Sequence, residues 1–161
     1  MKLSEHFTLQ EMLKSMTAVR YGIDNTPSTN HVANLRALAV NVLEPVRELM
    51  GNRPIIITSG YRCPLLNRMI GGSKSSQHMK GQAADFEIPE LRNRNVIEAV
   101  AASDIPFDQL IYEFGEQGWI HISHDGDGIH QRREVLAALH SDSGTRYIPW
   151  TSMRQTTKRD R

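Results

Sequence analysis

Apolar residues recur at three- and four-residue steps through Val32, Leu35, Ala39, Val42, Val46 and Leu49, the stripe of an amphipathic helix. That helix is expected to open near Ser28, just after Pro27, and to stop at Gly51. Pro45 falls inside the stripe, where it removes one backbone hydrogen bond and bends the helix without ending it. Upstream, Thr8 and Glu11 have capping-box spacing and open a short helix carrying Leu9, Met12 and Leu13. A third stripe, Leu91, Val96, Ile97 and Val100, predicts a helix over 89–102.

The remaining apolar segments are short and bounded by turn formers, which marks them as strands. They cover 54–58, 82–88, 109–114, 119–123 and 132–139. Between the first two, residues 60–77 are rich in Gly, Ser, Asn and Pro, with one helical turn over 65–69. A loop of that length in a compact domain is more often functional than idle. After Leu139 the periodicity fades. The expectation is therefore a domain over 1–140 and a loosely ordered tail over 141–161, with Tyr147, Ile148 and Trp150 as its one anchor. The fold class expected is α+β, with helices first and a small antiparallel sheet after.

Composition changes this picture little. The 161 residues suit one domain, and 39% hydrophobic with 23% charged residues suits a soluble one. A formal charge of +1 demands neither nucleic acid nor an anionic membrane as partner, although four basic residues crowd into 154–161. No stretch approaches the ~20 apolar residues of a membrane span. No basic start followed by an apolar run marks a signal peptide, so synthesis in the cytoplasm is expected. The single cysteine, Cys63, excludes an internal disulfide and, directly before Pro64, reads as a packing residue. A monomer is the default expectation.

Candidate chemistry concentrates in two segments. In Ser76-Gln-His78-Met-Lys-Gly81-Gln-Ala83-Ala-Asp85, a loop turns at the glycine and enters a strand. A carboxylate between Ala84 and Phe86 is costly to bury without a cation or an ion-pair partner, so Asp85 is expected to face one of these. In Trp119-Ile-His121-Ile-Ser123, strand alternation puts Trp119, His121 and Ser123 on one face and the isoleucines on the other. Two imidazoles and one carboxylate make the three-ligand set of a catalytic zinc site, with the fourth position left for water. His124 and His130 follow in a loop with Asp125-Gly-Asp127-Gly128 and are expected to be exposed. That loop suggests calcium only weakly, because it lacks the later acidic ligands of an EF-hand.

The ordered set Ser59-Gly-Tyr-Arg62, Asn67, Gly71-Gly72, the His78–Asp85 segment, Phe107 to Phe114 and Trp119 to Ser123 resembles the zinc D-alanyl-D-alanine carboxypeptidases of the M15 peptidase family. It is most like the small variety found in phage endolysins and prophages, over roughly residues 5 to 139. The resemblance implies a hedgehog/DD-peptidase-like fold with zinc in a cleft and peptidoglycan peptide as substrate. Either a terminal D-alanine or an internal bond would be cut. It implies release to the wall through holin-type lysis or phage delivery. It assigns the metal to His78, Asp85 and His121, and substrate contacts to Arg62 and Ser76; Trp119 is read as a substrate-binding wall of the cleft, against the core role common for a tryptophan at a strand start. The general base maps to Glu113, with Glu116 as alternative, because Gly118 stands where many relatives carry an acid three positions before the last histidine. The same scaffold also serves as a zinc-containing binding module, so a wall-binding or structural phage module without catalysis is the competing expectation.

Overall fold

In a computed structural model, which describes residues 1–153, helices and two short 3-10 turns surround one six-stranded sheet. Thr8 caps α1 (Leu9–Leu13) through the reciprocal capping box read from the sequence. A helix not foreseen, α2 (Met16–Tyr21), follows at once, capped by Ser15 and closed by Gly22 in the left-handed conformation. Six residues with Met16, Val19 and Tyr21 exposed carry no apolar stripe for a sequence reading to detect. The long helix is present in three parts, α3 (Thr29–Leu38), a π-helical stretch Ala39–Leu43 and α4 (Glu44–Leu49). Pro45 lies just past the π-helical stretch, so the hydrogen bond it cannot donate is absorbed by a wider turn. The stripe stays continuous: Leu35, Leu38, Val42, Leu43 and Val46 are all fully buried.

The strands are β1 (Ile56–Ser59), β2 (Ala83–Glu87), β3 (Gln109–Glu113), β4 (Trp119–Ser123), β5 (Glu134–Ser141) and β6 (Gly144–Pro149). Between them lie α5 (Pro64–Met69) and α6 (Asn93–Ala102). Their order in the sheet is β1-β2-β4-β3-β5-β6. The α+β class holds, but the sheet is mixed where an antiparallel one was expected, because β5 pairs parallel with β3. The turn at 124–133 carries the chain back across, so β5 starts beside the start of β3. The stretch expected to be a loose tail is corrected as far as Met153. Residues 144–149 form β6 against β5, and Trp150 buries its ring edge-on to Tyr112, 5.2 Å between centroids. The basic residues Arg154, Lys158, Arg159 and Arg161 lie outside the described residues.

Alternation divides the sheet into two faces. Ala84, Phe86, Leu110, Tyr112, Ile120 and Ile122 join the helices in the core. The opposite face carries Asp85, His121 and Glu113. Register sets Asp85 opposite His121, His121 opposite Ile111, and Trp119 opposite Glu113. Three neighbouring strands thus deliver the candidate residues to one place. Among the described residues no helix is long and apolar enough to cross a membrane.

Candidate metal centre

His78 reaches this face from a 3-10 turn, Gln77–Lys80, that ends at Gly81 with φ +68. A Cβ at Gly81 would stand 2.5 Å from the His31 carbonyl, so both conformation and space require glycine there. The turn is tied down by Gln77, whose side-chain amide donates to Asp108 Oδ2 at 2.9 Å. Asp108 is buried and also accepts two guanidinium hydrogen bonds from Arg132, at 2.8 and 2.7 Å, which hold its carboxyl below the usual range. Asp108 was not singled out by sequence reasoning. Its signal, an aspartate between Phe107 and a strand, is indistinguishable from a turn residue.

Three donor atoms converge. His78 Nε2 lies 3.2 Å from Asp85 Oδ1 and 3.2 Å from His121 Nδ1, and His121 Nδ1 lies 2.9 Å from Asp85 Oδ1. All three residues are buried. A tetrahedral site with metal–ligand bonds of about 2.0–2.1 Å has ligand–ligand edges of roughly 3.3–3.4 Å. The observed triangle is within a few tenths of an ångström of that size.

The protons make the fit more specific. His78 Nδ1 sits 2.6 Å from the Gly60 carbonyl, which can only accept, so the ring proton belongs on Nδ1. Burial lowers the His78 pKa against the pull of Asp85 and keeps the ring neutral. Its Nε2 therefore turns a lone pair toward a carboxylate, and a cation between them resolves the conflict. A carbonyl that fixes the tautomer from behind is the usual support of a ligating histidine. Burial alone would raise the Asp85 carboxyl; the two histidines overcome that and hold it well below its ordinary range. Gly60, which supplies the carbonyl, cannot carry a side chain, because a Cβ would meet the Met12 carbonyl at 2.4 Å.

The other predicted residues separate. Arg62, half-buried, lines an open cleft of about 590 Å³ together with Lys14, Met16, Ile57, Asp85 and Trp119. Its Nε is buried and, among the described residues, has no hydrogen-bond partner. Burial lowers its pKa, partly offset by the charges of Asp85 and Glu113. Glu113 feels the same group of charges. Burial first and the Asp85 charge second push its carboxyl up to about 7, while His121, Arg62 and the Trp119 indole pull it back. That indole Nε1 points toward Glu113 without completing a regular hydrogen bond.

Glu116 is elsewhere. Its two oxygens accept from the backbone N–H groups of Asn93 (2.7 Å) and Arg94 (3.1 Å) and from the Tyr112 hydroxyl (3.0 Å), capping the start of α6. Gly118 is fixed as glycine, since a Cβ would fall 1.8 Å from the Glu113 carbonyl oxygen. No acid can stand at 118 in this backbone. Ser76 is half-buried and two residues from His78, but it is not among the residues lining the cleft. Cys63 caps α5, its sulfur accepting from Leu66 N–H at 3.4 Å. His130 is exposed as expected, whereas His124 is corrected: it is 2% exposed, tucked under its loop. A slightly larger surface groove, about 670 Å³, lies beside α2 and holds none of the metal-centre groups.

The peptidase M15 family model matches residues 5–123, which includes every residue of the centre. The zinc D-Ala-D-Ala carboxypeptidase of Streptomyces albus G is 42% identical to this chain over 44 residues. That stretch is 27% of this chain and spans 17% of the relative's own length. The chain belongs to the peptidase M15 family.

Proposed function

We propose that this M15 family member is a zinc-dependent peptidase hydrolysing peptide bonds of bacterial peptidoglycan. His78, Asp85 and His121 hold the metal and Glu113 serves as general base. The observation that carries the reading is the buried triangle of donors, 2.9–3.2 Å on a side, in which the free lone pair of a neutral imidazole faces a carboxylate. The activity for which the Streptomyces relative is named supports zinc as the ion and D-Ala-D-Ala as one substrate class.

Zinc held there supplies Lewis acidity toward a scissile carbonyl and makes nearby water more acidic near neutral pH. Every other task falls to side chains. Glu113, pushed up to about 7, is poised to take a proton from attacking water and return it to the departing amine. Arg62 lines the cleft, where its guanidinium charge suits a substrate carboxylate or carbonyl. Trp119 walls that cleft.

The test is digestion of defined muropeptides by zinc-loaded and chelator-stripped protein, read by mass spectrometry. Cleavage restored by zinc is expected, and the product masses separate loss of a terminal D-alanine from an internal cut. A zinc-loaded, folded protein that cuts no muropeptide would leave the catalytic reading without support.

A further inference from the structure

Of the residues read as an anchor near the C-terminus, Ile148 and Trp150 serve as one, since both join the core. Tyr147 does not: it is 54% exposed. Alternation turns it to the other side of the sheet, the side that carries Asp85, His121 and Glu113.

Register locates it on that side. Trp119 on β4 stands opposite Glu113 on β3, Glu113 lies beside Ala138 on β5, and Ala138 is opposite Tyr147 on β6. Neighbouring strands lie about 4.8 Å apart, so the backbones at Glu113 and Tyr147 are roughly 10 Å apart. Two long side chains leaning toward each other close such a gap. Only the methyl group of Ala138 stands between them in the row, and it is fully buried. An alanine cannot cover itself, so longer neighbours lean over it, and in its own row these are Glu113 and Tyr147.

The charges agree with that placement. Burial first, then the carboxylates of Glu113 and Asp85, push the Tyr147 phenol above its ordinary value. Coulomb coupling fades with distance, so the hydroxyl stands near both groups, and it keeps its proton near neutral pH. Among the described residues that hydroxyl has no hydrogen-bond partner.

We propose that Tyr147 is a substrate-contacting residue of this centre, its hydroxyl donating to a backbone carbonyl or carboxylate of the peptide on the Glu113 side of the scissile bond. The inference rests on the peptidase reading above. Arg62 comes from the loop after β1, at one edge of the sheet, and Tyr147 from β6, at the other. The peptide would thus be held on both sides of the metal. The β6 contact lies beyond residue 123, where the match to the family model ends.

Tyr147→Phe tests this, because it keeps the ring and removes only the hydroxyl. The full chain, stripped with chelator so that no bond is cut, carries isotope-labelled tyrosine. A synthetic stem pentapeptide ending in D-Ala-D-Ala should then shift the ring signal of Tyr147, identified by its loss in the variant. The signal of Tyr112, on the core face, should stay in place. In zinc-loaded protein the variant should lower kcat/KM for the same peptide about five- to tenfold, mostly through KM. Zinc content, circular dichroism and pH profile should match wild type. A zinc-loaded wild type that cuts nothing while its Tyr147 signal still shifts would sink the peptidase reading and support this contact. The proposal would be overturned by a Tyr147 signal indifferent to saturating peptide or by variant kinetics within about twofold of wild type. A variant altered only in the position of a pH limb would overturn it too, since the hydroxyl would then be holding Glu113 and not the peptide.

Discussion

The buried centre and the loop after β4 use the same residue types in opposite surroundings. His78, Asp85 and His121 come from a 3-10 turn and two paired strands, and strand register holds two of them opposite each other before any ion arrives. Asp125, Asp127 and His130 come from six consecutive residues, half to fully exposed, and their donors stand further apart. The difference is one of preorganisation. Where side chains are locked by the sheet and shielded from water, opposed lone pairs and charge cannot be relieved by solvent, so the site is committed to a cation. Where water reaches them, the same groups tolerate an absent ion.

Substitution should expose that asymmetry most strongly at Asp85. Asp85→Ala removes the only carboxylate of the triangle, and zinc affinity should fall by about a hundredfold or more, beyond what loss of a supporting residue costs. Equilibrium competition with a coloured chelator measures this.

The two glutamates near the hairpin sharpen the comparison next. Glu113→Gln should lower peptide-bond turnover by about 10²–10⁴-fold while zinc content stays at the wild-type level. Glu116→Gln should leave turnover within a few-fold and instead cost about 1–2 kcal/mol of stability, because α6 loses a charged acceptor for two backbone donors. Steady-state kinetics and denaturant unfolding, run on both variants, separate the two outcomes.

A smaller effect is a pH dependence in the metal-free protein. The folded Glu113 carboxyl binds its proton more tightly than the ordinary value of 4.5, near 7. Its contribution to stability is therefore full below pH 4.5 and is lost as pH rises to 7, by at most about 3 kcal/mol. Buried His78, whose pKa is lowered, works the other way: its contribution is lost as pH falls below its ordinary value of 6.5. The Glu113 slope is thus read from the difference between wild type and Glu113→Gln across pH 4.5–7. A difference that is flat, or that rises with pH, would contradict the burial assigned to Glu113.

Much of the fold was legible because its signals are local. The capping box at Thr8, the stripe from Val32 to Val46 and the alternation of Trp119 to Ser123 each follow from spacing, and each appears where expected. The parallel pairing of β5 with β3 was not legible, since it depends on how an irregular ten-residue turn recrosses the sheet. In the site, His78, Asp85 and His121 were marked by residue type and by the cost of burying a carboxylate. The Gly60 carbonyl that sets the His78 tautomer has no signature, because any backbone carbonyl can accept. Gly118 looked like a missing acid, yet the Glu113 carbonyl fills the space a side chain would need. The sequence favoured Glu113 over Glu116 by resemblance alone; the structure separates them physically, Glu113 lying among the charges of Asp85, His121 and Arg62 and Glu116 capping α6.

The most direct test is an anomalous difference map from crystals of the zinc-loaded protein, collected at the zinc edge. One peak is predicted about 2.0–2.2 Å from His78 Nε2, Asp85 Oδ1 and His121 Nδ1 together. A well-ordered map with no peak inside that triangle would contradict the metal centre on which the proposed chemistry rests.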